Sequence, residues 1–168
     1  MFYEYRHQLQ MIEHIMKDRR VSRMLDKVDE DHVLQHAIAV QQIPSPTFHE
    51  GERASYVTNT LAALNLADIQ TDELGNVYTR ISGGNGPQVL VTAHMDTVFP
   101  RETDLTILCQ QDRIYGPGLG DNAVGVAALI ALAENLSSSG WRPPGNLWLV
   151  ANVSEEGLGD LQGMRRVI

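Results

Sequence analysis

Three short stretches carry side chains that could do chemistry together. In Thr92-Ala93-His94-Met95-Asp96-Thr97 an imidazole and a carboxylate stand two residues apart, directly after the apolar run VLVTA (89–93). In extended backbone, side chains at i and i+2 point the same way. A carboxylate beside a metal-binding imidazole can take its second ring N–H, which fixes the tautomer and raises basicity. The plain alternative is a solvated strand end with a chance His–Asp pair. In Gly116-Pro117-Gly118-Leu119-Gly120-Asp121-Asn122, Asp121 lies between a glycine-rich loop and a strongly apolar helix predicted over 123–136. Asp121 also suits a helix N-cap. The glycines there, with Gly125, loosely follow a dinucleotide fingerprint. Their spacing is not GxGxxG, the strand before them is only Arg-Ile-Tyr, and a carboxylate at this point opposes a phosphate. The third stretch, Ser154-Glu155-Glu156-Gly157, follows the apolar run LWLVANV (147–153). Two adjacent carboxylates at a strand end repel each other unless something neutralises them. The plain alternative is an exposed acidic turn.

Taken together, the three stretches point to a divalent cation. Hard carboxylates with an imidazole suit Zn²⁺ or a similar ion. A bridging carboxylate can hold two such ions about 3.5–4 Å apart, which lowers the pKa of bound water to about 7 and stabilises developing oxygen charge. A carboxylate left off the metals can serve as general base, and Glu155 and Glu156 can divide those two roles.

The elements that must position these groups read as follows. Apolar residues Leu9, Ile12 and Met16, with Met11 and Ile15, predict an amphipathic leading helix within 2–27, whose role as a packing element, a self-association surface or a lead-in stays open. A second helix is expected over 31–42, with Asp29 or Asp31 as N-cap and Pro44 and Pro46 ending it. A third is expected over 50–64, with Ala54, Val57, Leu61 and Leu64 inward and Glu50 and Glu52 favoured by the dipole of its first turn. Asn76–Ile81 alternates as a strand. Val89–Ala93 and Leu147–Val153 read as strands buried on both faces. Leu105–Leu108 and Arg113–Tyr115 suggest a minor hairpin. Strand, helix, strand with apolar strands predicts an α/β sheet with helices on both faces, in which ligands bind at the C-terminal strand ends.

The 168 residues carry a net charge of −8, with 43% hydrophobic and 20% charged residues. That is an ordinary globular composition. Six basic and four acidic groups fall in residues 1–27, against seven and seventeen in the rest. The leading segment (1–28) therefore differs from an acidic body (29–168). An acidic body argues against nucleic acid as a partner, because phosphate neutralisation needs clustered Lys and Arg. No apolar run approaches the roughly 20 residues of a membrane span, so no membrane partner is expected. Cys109 is the single cysteine, and the charged N-terminus lacks a secretory apolar stretch. A cytoplasmic setting is the expectation.

The stretches VLVTAHMDTVFP (89–100), GPGLGDNAVGVAAL (116–129) and VANVSEEGLGD (150–160), with IPSPTFHEGER (43–53) and DELGNV (72–77) leading in, resemble the co-catalytic zinc hydrolases that include aminoacylase, carboxypeptidase G, peptidase T and succinyl-diaminopimelate desuccinylase. The resemblance covers residues 30–168. It implies an α/β fold, an incomplete doubly wound zinc-exopeptidase-like catalytic domain of three α/β/α layers. By that resemblance His94 binds one metal, Asp121 bridges both and is joined to Asn122 by a cis peptide, and Glu156 binds the second. Glu155 is then the general base that takes a proton from the bridging water, and Asp96 orients His94. The implied cofactor is zinc, as two ions in the complete site. The implied reaction is hydrolysis of a peptide or N-acyl amide bond near a chain end, so the partner is a peptide or N-acyl amino acid. Members of that family are longer. They add another acidic ligand, a late His, and a lid and dimerisation domain that is absent here. The expectation is thus an N-terminal fragment with three of five metal ligands, weak or partial metal binding and little turnover. Its rival is a non-catalytic remnant or interaction module.

The remaining candidates read as structural. His32 and His36 stand four apart on a predicted helix, like a zinc-binding pair, but Val33 occupies the place where HExxH needs its Glu. They are expected to be solvent-exposed or structural. His49 falls in a turn, Cys109 has nothing nearby to activate it, and Ser154 lacks the GxSxG elbow.

Overall fold

The computed structural model describes residues 2–64, 66 and 68–168, with the side chains of residues 2–8, 20 and 24 left undescribed. The leading segment forms two helices, α1 (Phe2–Met16) and α2 (Arg19–Leu25), rather than the single one expected. The apolar side chains Leu9, Met11, Ile12, Ile15 and Met16 of α1 are all exposed.

Helix α3 (Glu30–Gln41) starts where Asp29 accepts a hydrogen bond from the His32 backbone N–H. This satisfies one of the orphan donors of a first turn. Helix α4 spans Gly51–Ala63 and buries Arg53, Ala54, Val57 and Leu61. The long helix α5 (Val124–Ser139) ends at Gly140, whose left-handed backbone is the usual glycine C-terminal signal.

The main sheet contains β1 (Gln70–Thr71), β2 (Val77–Ile81), β3 (Val89–His94) and β6 (Leu147–Asn152), in the order β1-β2-β6-β3. β2 runs antiparallel to β6, and β3 runs parallel to it. A separate hairpin joins β4 (Leu108–Gln110) to β5 (Arg113–Tyr115). A last helix, α6, covers Gln162–Val167.

Register places Val77, Thr79, Ile81, Leu147, Leu149, Ala151 and Ala93 on one face of the sheet. All seven are buried. Helices α4 and α5 cover this face, and α3 lies on the far side of α5. Helix α5 is therefore enclosed from two sides. That explains why Val126, Ala127, Leu129, Ile130, Ala131, Ala133 and Leu136 are all buried and why its sequence is apolar nearly all round. The tract Leu119–Ser139 is also long and apolar enough, by length and composition, to cross a membrane. This corrects the reading that no stretch reaches that length, and the packing of α5 between the sheet and α3 accounts for its composition.

The other face carries Tyr78, Leu90, Trp148 and Val150. It opens into a groove of about 550 Å³ that Arg166 and Val167 of α6 also line. Strand β3 is accordingly not buried on both faces as its apolar run suggests. It is an edge strand, with Val89 52% and Leu90 37% exposed.

Candidate metal centre

The parallel pairing of β3 with β6 sets His94 opposite Asn152, and the Met95 N–H extends the pairing to the Asn152 carbonyl at 2.7 Å. The two chains leave the sheet side by side, so the turns that follow them meet. Asp96 joins them. Its Oδ1 accepts the Glu155 N–H at 2.9 Å, and its Oδ2 accepts the Glu156 N–H at 2.9 Å and the Thr47 hydroxyl at 3.0 Å. Asp96 is wholly buried. Burial alone raises a carboxyl, yet the neighbouring His94 ring and the hydrogen bonds from Glu155, Glu156 and Thr47 hold this one below the usual carboxylate range.

The turn after β6 is clamped from a second side. Glu50 Oε1 accepts the Ser154 N–H at 2.9 Å, the Ser154 hydroxyl at 3.2 Å and the Phe48 N–H at 3.0 Å. Ser154 takes a left-handed φ of 52°, a costly conformation that these bonds offset. Glu50 is buried at the N-cap position of α4, makes no capping bond there and spends its carboxylate on this clamp. Asn76 holds the residue before Ser154, accepting the Val153 N–H at 2.9 Å.

The turn before Asp96 is fixed by a buried cation. Arg53 donates to the Met95 carbonyl at 2.6 Å and to the Ile43 carbonyl at 2.7 Å. Burial lowers the Arg53 guanidinium to about 10, against the opposing pull of the Asp96 charge. Gln41 of α3 donates to the Leu105 and Pro117 carbonyls at 3.1 and 3.0 Å, which anchors the glycine-rich loop. Gly118 in that loop has φ 67°, and a Cβ there would meet the Thr97 methyl at 2.9 Å.

Asp121 follows in the irregular turn Leu119–Ala123, with extended backbone and a cis peptide to Asn122. The residue in the N-cap position of α5 is Ala123, so Asp121 does not serve as the helix cap. Its carboxylate is free to reach His94, and Oδ1 stands 3.0 Å from Nε2. On the other side of the ring, His94 Nδ1 donates to the Asp96 main-chain carbonyl at 3.1 Å, with the Asp96 carboxylate farther away at 3.6 Å. The backbone of Asp96, more than its side chain, therefore sets the orientation of the imidazole. Burial opposes a charge on His94. The hydrogen bond and charge of Asp96, aided by Glu155 and Asp121, outweigh it and lift His94 to about 9.

The structure brings the sequence-derived residues together. Ligand atoms of His94, Asp121 and Glu156 all lie within 4.8 Å of one another. Burial, with the charges of Asp121 and Glu155, raises the Glu156 carboxyl, and His94 only partly offsets this. One imidazole and two crowded carboxylates form the donor set that a divalent cation satisfies. Reading by pattern missed Thr47, Glu50, Arg53, Asn76 and Gln41, which hold the backbone of the site. They are polar residues in helical or loop surroundings, and burial, complete for all but the half-buried Thr47, is what distinguishes them. His49 lies in the turn as expected, its N–H bonded to the Pro46 carbonyl.

Residues 76–165 match the model of peptidase family M28. A probable carboxypeptidase of Aspergillus flavus is 31% identical over 150 residues, a match covering 79% of this chain and 35% of that protein. Carboxypeptidase G2 of a Pseudomonas species is 30% identical over 83 residues, covering 48% of this chain and 20% of that one. Among solved structures, a tripeptidase of Staphylococcus aureus superposes with a TM-score of 0.68 at 26% identity, covering 81% of this chain and 40% of its own. An aminopeptidase of Bacillus cereus, at 21% identity and a TM-score of 0.69, shares the fold. The chain thus spans about a third of the length of the curated relatives it matches over most of its own. With the family match extending over more than half of its residues, the chain belongs to peptidase family M28.

Proposed function

We propose that the chain carries part of the catalytic centre of a metal-dependent exopeptidase or amidohydrolase that cleaves a peptide or N-acyl amide bond. The observation that carries this reading is the convergence of His94, Asp121 and Glu156 within 4.8 Å at the C-terminal edge of a β-α-β unit. In this reading His94 and Glu156 would each hold a zinc ion, with Asp121 placed to share both. Bound zinc would supply Lewis acidity and bring the pKa of a coordinated water close to neutral.

The chain's own groups do the rest. Asp96 fixes the His94 ring through its carbonyl and presents the Glu155–Glu156 backbone through its carboxylate. Glu155, left off the metals, takes a proton from the attacking water and returns it to the leaving amine. Arg53 and Glu50 hold the two turns in place, so that little reorganisation is needed on binding.

Equilibrium dialysis against zinc, with ions counted per chain, tests the reading. Asp121→Ala and Glu156→Ala should each lower zinc uptake relative to the parent. Equal uptake by the parent and both variants would count against it.

A further inference from the structure

A second cluster of ligand atoms lies away from the sheet edge, between α3 and α5. His32 and His36 stand one turn apart on α3, and Glu134 faces them from α5. His36 Nε2 is 3.1 Å from His32 Nε2 and 3.2 Å from Glu134 Oε1. His32 Nε2 is 3.2 Å from Glu134 Oε1 and 3.1 Å from Oε2. The two rings meet edge to face, with centroids 4.5 Å apart.

Two features separate this cluster from a chance meeting of polar side chains. First, all three residues aim ligand atoms at one point. Two ligands at about 2.1 Å from a tetrahedral zinc ion stand about 3.4 Å apart, close to the spacings found here. Second, His36 is held from behind. Its Nδ1 lies 3.1 Å from the Tyr56 hydroxyl, on α4. With Nδ1 donating to that oxygen, the Nε2 lone pair is left facing the cluster, the arrangement in which a metal-binding His is oriented by a partner on its other nitrogen. The side chains of His36 and Glu134 are only 12% and 23% exposed, whereas that of His32 is 47% exposed. The cluster opens beside a cleft of about 540 Å³, whose rim carries Asp29, Lys27, Asn135 and Ser138. Asp29 adds favourable charge there and Lys27 opposes it.

We propose that His32, His36 and Glu134 form a second metal site, binding one zinc or comparable divalent transition ion with the remaining position open to water. Two imidazoles and one carboxylate are a donor set that zinc uses. The ion ties α3 to α5 and so braces the helix whose Gln41 anchors the glycine-rich loop. The proposal stands on these three residues alone and not on the sheet-edge centre.

Zinc titration calorimetry and thermal melting test it in two backgrounds, the parent chain and a chain carrying His94→Ala and Asp121→Ala. In the second background one zinc per chain should still bind and raise the melting temperature, and adding Glu134→Gln or His36→Gln should weaken that binding at least tenfold. In the parent, either single substitution should lower the zinc count by one, with circular dichroism of the zinc-free variants unchanged. The parent measurement stands by itself if the double variant fails to fold. An unchanged zinc count in both parent variants, or no zinc uptake in a folded His94→Ala/Asp121→Ala chain, overturns the proposal.

Discussion

Among the described residues, two trios of potential metal ligands come together, and they are built in opposite ways. In the sheet-edge trio, His94 ends strand β3 while Asp121 and Glu156 lie on turns, each supplied by a segment whose backbone is tied down by buried polar residues. The trio of His32, His36 and Glu134 lies on two packed helices, where α3 and α5 themselves supply the geometry. Turns carry irregular backbone, so a site built on them requires Asp96, Glu50, Arg53 and Asn76 as supports. Helix pairs require only register. The first trio is therefore sensitive to residues that touch no ion, and the second mainly to its own ligands and to Tyr56.

That contrast can be broken most forcefully at Glu155. Glu155→Gln keeps the shape and the backbone N–H that Asp96 accepts, so zinc uptake at both trios should stay within about twofold of the parent. Whatever hydrolysis of a dipeptide or N-acyl amino acid the zinc-loaded parent supports should fall by about 10²–10⁴, the usual contribution of a general base. A parallel loss of zinc would make Glu155 a ligand instead.

Asp96→Asn should act next most strongly. It removes the buried charge and one acceptor position from a carboxylate that takes three hydrogen bonds from Glu155, Glu156 and Thr47. Loss of such a supporting group costs about 10–100-fold in metal affinity. Zinc calorimetry should show that loss at the sheet edge and none at the helical trio. Equal weakening at both would mean that the substitution acts by general unfolding.

The asymmetry also explains what was readable from the residues alone. His94, Asp121 and Glu155–Glu156 were legible because each follows an apolar run or a glycine loop, and the register of a parallel strand pair then brings the ends together. The helical trio was half legible. The spacing of His32 and His36 was plain, but the missing HExxH glutamate argued against a site. The carboxylate that completes the trio, Glu134, comes from about a hundred residues away on another helix, and no local pattern announces it. Strand β3 misled for a related reason. An apolar run reports what a strand can bury, whereas edge position is set by pairing order. Arg53 reads as an ordinary charge on a helix, and only its wholly enclosed position beneath Met95 reveals its work.

Arg53→Met sharpens that last point. The substitution fills much of the same volume but leaves the Met95 and Ile43 carbonyls without their donor. Each unsatisfied buried group costs about 1–3 kcal/mol, so urea denaturation should show a loss of that order, without a change in the helical trio's zinc affinity.

The smallest effect is a pH slope. In the zinc-free protein His94 sits at about 9, above its ordinary 6.5. Its contribution to stability is then complete below pH 6.5 and lost as the pH rises through 9. Asp96, held low, contributes in the opposite sense, present above its ordinary 3.8 and lost as acid protonates it. Urea unfolding in a chelator between pH 6 and 10 should show the alkaline decline in the parent and a weaker one in His94→Gln. The same decline in both would place its source elsewhere.

The end of β3, the turn after β6 and the Asp121 turn are proposed to hold a divalent ion together. Anomalous diffraction at the zinc edge, from crystals grown with the metal, would locate it. A peak about 2.0–2.2 Å from His94 Nε2 and from carboxylate oxygens of Asp121 or Glu156 is the predicted result. Ordered side chains with no peak between them, at zinc concentrations that saturate the protein in solution, would contradict it.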